Sequence, residues 1–324
     1  MTQPTSGRRR LPIALLFKFG VVLLLVWGVH RTVESALVDL EEHHWSPASL
    51  RPGWLIASAV LYLAGLLPSG VFWWRVLLAL GQTPRLPETL RAYYIGHLGK
   101  YVPGKALVII LRTGLIRSTR VDTAVAVVSV FYETLTMMAV GACVGGLLSA
   151  IWFRHESWLL LVALGMAAAA GIPTLPPVFR RIVLVAGRRK VDPEALDRIA
   201  QIRPRAYVLG WLGIAAGWTL NGISLWAILV AAGFIEPTET IDTTLLDQIL
   251  ISVAAGALAN VAGFLSLIPG GAVVREAVLI ALLAPMFGQA GAVVSAIVAR
   301  IVSLVAEILI SAILYVSGPR RSQQ

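Results

Sequence analysis

The sequence predicts an all-α polytopic membrane protein, with six full transmembrane helices and two broken, re-entrant hairpins in an inverted repeat. Three observations carry this. Of its 324 residues, 57% are hydrophobic and 14% charged, with a mean hydropathy of +0.80, which lies outside the range of ordinary soluble domains. Several apolar runs reach the roughly 20 residues that cross a hydrocarbon core. Two of those runs are interrupted near their middles by Pro-Gly, in stretches that look like copies. One reads Leu98-Gly-Lys-Tyr-Val-Pro103-Gly104-Lys105-Ala106, the other Phe264-Leu-Ser-Leu-Ile-Pro269-Gly270-Gly271-Ala272.

The full crossings fall at about residues 11–29, 54–80, 124–151, 158–174, 207–232 and 290–316. The first follows Arg8-Arg9-Arg10 and reads as an uncleaved helix, because no small-residue cleavage site ends it. The two interrupted segments, about 86–116 and 249–287, read as hairpins that enter and leave on one side. Proline lacks the N–H a helix needs and glycine weakens a helix. Lipid cannot satisfy the freed backbone groups, so such breaks belong where protein or a wet cavity covers them. Paired breaks in corresponding halves point to a transporter's binding site. The chain reads as one membrane domain over 1–324, with repeat motifs at about 86–151 and 249–316 and a cytoplasmic loop at 176–206. Within that loop, residues 192–203 suit either a short helix on the inner leaflet or a plain connector.

Loop charge sets the orientation. With the N-terminus in the cytoplasm, the inner segments hold eighteen of the 27 Lys and Arg, including Arg85, Arg91, Arg112, Arg117, Arg120 and eight between Arg180 and Arg205. The outer loops hold Arg31, Arg51 and Arg154. This asymmetry places both termini in the cytoplasm of a plasma-type membrane. Three full crossings separate the two hairpins, so they open on opposite sides. The net charge of +10 lies in the loops and suits anionic headgroups better than nucleic acid.

Ionisable groups inside spans need a partner or water, since each costs roughly 2.5–3.5 kcal/mol at the bilayer centre on insertion scales. Glu133 lies within the third full crossing, and Arg300 and Glu307 within the last. Arg275 and Glu276 follow the second break, while Lys100 and Lys105 bracket the first. Pairing Pro103 with Pro269 gives an offset of 166 residues, which places Glu133 beside the equivalent of Arg300. Glu133 is therefore expected to pair with Arg300 or Arg275, either to contact substrate or as a structural ion pair. Lys100, Lys105 and Arg275 beside broken helix ends suit an anionic group such as a phosphate. Lys100 or Lys105 as a headgroup anchor is the other reading. Trp73, Trp74, Tyr93, Tyr94 and Tyr101 suit a lipid path or an interfacial belt.

No enzyme is expected. The run Gly99–Ala106 nearly spells a P-loop but ends in Ala where Ser or Thr must hold magnesium. The five histidines lack metal spacing, no catalytic constellation is visible, and no cofactor is expected. Transport would then be passive or ion-coupled.

The run Gly99-Lys100-Tyr101-Val102-Pro103-Gly104-Lys105, then Tyr132-Glu133, then Gly263-Phe264-Leu265-Ser266-Leu267-Ile268-Pro269-Gly270-Gly271 followed by Arg275-Glu276 resembles the flippase-like integral membrane family. That family is named for the transmembrane region of lysylphosphatidylglycerol synthase, the multiple peptide resistance factor. The resemblance covers roughly residues 10 to 318. The family's second motif usually reads Pro-Gly-Gly-Leu-Gly; this chain has Pro269-Gly270-Gly271-Ala272-Val273, one glycine fewer. The resemblance implies movement of a lipid, typically an aminoacylated phospholipid, between leaflets. The synthase's soluble catalytic domain is not expected in this chain, so synthase activity is not carried over. The expected partner is a membrane phospholipid or a lipid-linked precursor. The other class considered is an accessory subunit for a separate lipid synthase or glycosyltransferase.

Overall fold

A computed structural model describes residues 46–101, 106–117, 120–152, 161, 165, 167–186, 197, 204–235, 244–266, 268 and 271–317. Pro103, Gly104, Lys105, Pro269 and Gly270 lie outside these, as do the expected first span and part of the fourth. The described residues are almost all helical, with no β-strand among them. In order they form α1 (Pro52–Ala79), α2 (Leu86–His97), a 3-10 turn (Leu98–Tyr101), α3 (Ala106–Ile116), α4 (Thr123–Trp152), α5 (Pro176–Ala186), α6 (Pro204–Ala231), α7 (Leu245–Leu265) and α8 (Val274–Val316). Five of these (α1, α4, α6, α7 and α8) are long and apolar enough to cross a membrane. The number rises to six if Ala167–Thr174 and Pro176–Val185, bent by 77°, count as one span. The expected cytoplasmic loop thus begins as a helix, α5, whose Arg180 pairs with Asp197 at 2.6 Å.

Local chemistry sets the ends. Asp122 caps α4 by accepting from the N–H groups of Ala124 and Val125. Thr244 and Asp247 form a reciprocal capping box on α7. Proline opens α1 and α6 in their first turns, where its missing N–H costs nothing. Pro285 and Gly288 bend α8, the glycine taking φ 72°, ψ 168° inside the helix. The kink divides α8 at about the start of the last expected crossing.

Helix α1 runs from an Arg51 end to a Leu80 end, and hydrogen bonds assign the other elements to these ends. Arg51 N–H donates to Ala231 O at 2.9 Å, so α6 is antiparallel to α1. The base of α2–α3 closes at the Leu80 end, where Thr83 N–H meets Arg120 O and Asp122 N–H meets Gln82 Oε1 at 2.7 Å. Helix α7 starts at the Arg51 end, where Trp226 Nε1 donates to Gln248 Oε1. The α8 kink lies at the same end, with Gly291 packed on Phe234. The far end of α8 returns to the Leu80 end, where Arg91 Nε donates to Leu314 O at 2.8 Å. At 21 residues, α7 is long and apolar enough to cross a bilayer; α2 has 12 residues. The first arms of the two interrupted segments are therefore unequal in length.

Helices α1 and α6 each have 28 residues and cross at Gly65 and Gly217, each the fourteenth of its helix. A Cβ on Gly65 would lie 2.8 Å from Gly217 O, and one on Gly217 would lie 2.5 Å from Gly65 O. Small residues let membrane helices pack this closely, where no hydrophobic gain over lipid is available.

Beyond the second break, Gly271 takes φ +65° with its Cα against Gly263. Val273 takes φ 69°, ψ −49°, a region that a β-branched residue enters only under strain. It occupies the motif position at which the resembled family carries glycine. Val273→Gly is expected to raise stability by about 1 kcal/mol, as relief of strain exceeds the entropic cost of glycine. A shift of the SDS-unfolding midpoint, read by tryptophan fluorescence, would measure it. A loss of stability would show that the turn holds no strain.

Candidate functional site

Lys100 on the 3-10 turn after α2 and Gly271 shortly before α8 reach the same space inside the bundle. Between them lies a cavity of about 570 Å³, with Tyr62, His97, Lys100, Arg112, Arg275 and Ser303 among its walls. Most of the remaining lining is apolar. Phe131 and Leu135 on α4 line it too, yet they are 49% and 36% exposed, so the chamber has a side facing the surroundings of the bundle.

Lys100 and Arg112 in its wall each pair with a carboxylate, and a third ion pair is made by Glu276, next in sequence to the wall residue Arg275. Arg112 Nη1 donates to Glu133 Oε2 at 2.6 Å. Glu133 is fully buried and Arg112 is 2% exposed. Tyr93 and Thr134 also donate to the carboxylate, and the guanidinium lies 4.1 Å from the Tyr93 ring centroid and 5.6 Å from that of Trp73. Such a pair is tolerable in a low-dielectric interior because hydrogen bonds and ring faces replace much of the lost hydration. The second pair, Arg300 Nη1 to Glu276 Oε1 at 2.6 Å, is half-buried. The third joins Lys100 Nζ to Glu307 Oε1 at 2.5 Å. The Tyr62 hydroxyl donates to the same oxygen, His97 Nε2 lies 3.8 Å away, and Glu307 is 1% exposed.

Glu133 therefore pairs with Arg112 and not with Arg300 or Arg275. The reason is local: α3 folds back beside α4, the helix that follows it, and presents Arg112 to Glu133. Arg112 also leaves the inner-loop charge set, reducing it to seventeen. The signal was present, since Arg112 lies within the apolar run Leu107-Val-Ile-Ile-Leu-Arg112. By the 166-residue offset, Arg112 falls two residues from Glu276, and Glu133 one residue from Arg300. The two pairs are near-equivalents with their signs exchanged.

Arg275 stands on the first turn of α8, in the cavity wall. Its Nε is buried without a hydrogen-bond partner, and no carboxylate among the described residues pairs with it. Of the three Lys and Arg side chains that line the chamber among the described residues, Lys100 and Arg112 are committed to carboxylates. Gly271 lines the same wall, whereas Lys105 and both Pro-Gly pairs are outside the described residues. Tyr62, His97 and Ser303 escaped the sequence reading because they carry no fixed charge within an apolar span. Trp73 and Tyr93 are fully buried in the core, Trp73 donating to Ser129 Oγ at 2.9 Å. They form neither a lipid path nor an interfacial belt.

Long apolar helices around a chamber with Lys100, Arg112 and Arg275 in its wall define a multi-pass α-helical membrane protein. The chain belongs to the family described as the lysylphosphatidylglycerol synthase TM region, which matches residues 15–311. None of the curated proteins compared matches the chain.

Proposed function

We propose that this protein carries an anionic membrane lipid, either a phospholipid, aminoacylated in the manner its family suggests, or a lipid-linked precursor, between leaflets. The observation that carries this reading is Arg275: a cation without a carboxylate partner among the described residues, in the wall of a largely apolar chamber. A phosphate there would meet a charge that needs it, and the exposed Phe131 and Leu135 leave a side for acyl chains. Two further features support the reading. The base of α2–α3 and the base of α7–α8 lie at opposite ends of the bundle, and α1 and α6 cross at equivalent positions. Both suit two inverted halves with re-entrant tips, the arrangement used for alternating access. Arg85, Arg117 and Arg120 at the Leu80 end support reading that end as cytoplasmic, in a plasma membrane with both termini inside.

The test is movement of fluorescent phosphatidylglycerol in liposomes holding the protein, read by dithionite quenching. The wild type is expected to move the lipid, and Arg275→Gln to slow it at least tenfold, roughly the loss of one charge-assisted contact. Equal rates for the two would remove Arg275 from the site. No movement of any lipid in a panel of anionic, zwitterionic and aminoacylated headgroups would instead favour an accessory role beside a separate synthase or glycosyltransferase.

A further inference from the structure

Two of the three ion pairs lie inside one half of the molecule. Arg112–Glu133 ties α3 to α4, and Glu276–Arg300 ties the start of α8 to its continuation. Lys100–Glu307 differs, because it joins the tip after α2 to the final helix, across the boundary between halves. It also heads a polar seam. Glu307, Ser311 and Leu314 are spaced i, i+4, i+7, so they share one face of α8. Glu307 meets Lys100, Tyr62 and His97. Ser311 Oγ donates to Tyr94 O at 3.3 Å, and Leu314 O accepts from Arg91 Nε. The 166-residue offset carries Glu307 and Ser311 to Gly141 and Gly145 on α4. Those glycines pack on Trp218 and on Leu258 with Ala254 O, without an ion pair. One end of the bundle is thus closed by charge, its counterpart by small-residue packing.

The charge at the head of the seam is unbalanced. Lys100 and Arg275 supply two positive charges at the chamber wall, against one negative charge from Glu307. A single anion completes neutrality. Lys100 is the member able to serve both sides: its ammonium is a point charge on a flexible stem with three donors, and its side chain is 26% exposed while Glu307 is enclosed. If Lys100 turns to the anion, Glu307 keeps the Tyr62 hydroxyl and the neighbouring His97.

We infer that Lys100–Glu307 is an anion-released latch: a phosphate-type anion seated on Arg275 draws Lys100 away from Glu307, freeing the Leu98–Tyr101 turn from α8 and opening the chamber toward the Leu80 end. This rests on the reading of Arg275 as the anion site of a lipid carrier. It gives the bound headgroup what a ligand must have to shift an equilibrium, a different interaction with the two states. The shared chemistry is a phosphate anion, from a lipid headgroup or from solution.

Spin labels at Glu88→Cys and Tyr315→Cys, both exposed, in a Cys143→Ser background would span the seam. The distance is read by pulsed electron resonance with the full chain in phosphatidylcholine vesicles, in the same vesicles with inorganic phosphate, and in phosphatidylcholine–phosphatidylglycerol vesicles. The expected result is a population lengthened by about 5 Å, one helical turn, that grows in the phosphatidylglycerol vesicles. Growth with inorganic phosphate as well would mean that the anion alone suffices. Growth in phosphatidylglycerol only would identify the headgroup on its lipid as the trigger. Glu307→Gln is expected to show the long distance in all three, and Arg275→Gln in none. Lys100→Glu combined with Glu307→Lys should restore the short distance and abolish the response, which separates latch loss from misfolding. An unchanged wild-type distance in all three, or a short distance in Glu307→Gln, overturns the latch. Lipid transport measured on the same vesicles keeps the two ideas apart: transport with a fixed distance overturns the latch alone, and a responding distance without transport overturns the carrier reading alone.

Discussion

Glu133→Ala is expected to lose about 3–5 kcal/mol of stability, the range found when one member of a buried ion pair is removed. The substitution leaves Arg112, 2% exposed, charged and without its counter-ion. The Arg112 Nε already lacks a hydrogen-bond partner, so nothing nearby takes over. The flanking Trp73 and Tyr93 rings retain part of the stabilisation, roughly 0.5–2 kcal/mol for a desolvated cation–π contact, and so the loss should stay below the full desolvation penalty. SDS unfolding in mixed micelles, followed through the fluorescence of the ten tryptophans, would measure it. The informative companion is Arg112→Met with Glu133→Leu. Apolar groups of similar volume remove both desolvation penalties at once, so the double variant should lie within about 1 kcal/mol of wild type. Transport by that stable double variant then decides between the two roles considered for Glu133. Retained transport makes the pair a structural tie between α3 and α4; lost transport with intact stability makes it part of the path.

The long helices were readable in the sequence because length and apolarity in a bilayer admit few alternatives. The expected spans 54–80, 124–151 and 207–232 became Pro52–Ala79, Thr123–Trp152 and Pro204–Ala231, within a few residues, since proline or a capping carboxylate stands at each start. That charges such as Lys100 and Arg275, both in the chamber wall, need partners or water was also legible, because ionised groups inside apolar runs are costly in lipid. Their partners were not. Which carboxylate meets which cation depends on how far each helix turns about its axis and which neighbour a hairpin arm lies against, and neither is written in spacing. The repeat offset misled here: Glu133 falls beside the equivalent of Arg300, which suggests that the two pair, whereas Glu133 pairs with Arg112 and Arg300 with Glu276. Lys100 and Glu307 are 207 residues apart in the chain, and their meeting follows only from the return of α8 to the Leu80 end. Val273 is a further case: the missing motif glycine was visible, but its cost shows only in the backbone angle.

Gly217→Ala should cost about 2 kcal/mol, although alanine is by itself the better helix former by about 1 kcal/mol. The added Cβ would lie 2.5 Å from Gly65 O, a backbone atom that cannot step aside as a side-chain tip can. Relief requires moving α6 away from α1, and overpacking of this sort costs about 1–3 kcal/mol. Gly65→Ala should behave alike: its Cβ would meet Gly217 O at 2.8 Å and Asn221 Oδ1 at 2.4 Å. Gly213→Ala is the control, on the same helix one turn earlier. Its Cβ would meet only Pro68 Cβ, at 3.8 Å, an ordinary contact, so helix propensity should dominate and stability should hold or rise by up to about 1 kcal/mol. The three variants change the same atoms in helix interiors, so the contrast isolates the crossing from glycine's intrinsic effect. The SDS-unfolding midpoints of the three measure it. If Gly217→Ala is as stable as Gly213→Ala, the two helices do not meet backbone to backbone at these glycines, and the equivalence of α1 and α6 about that point is lost with it.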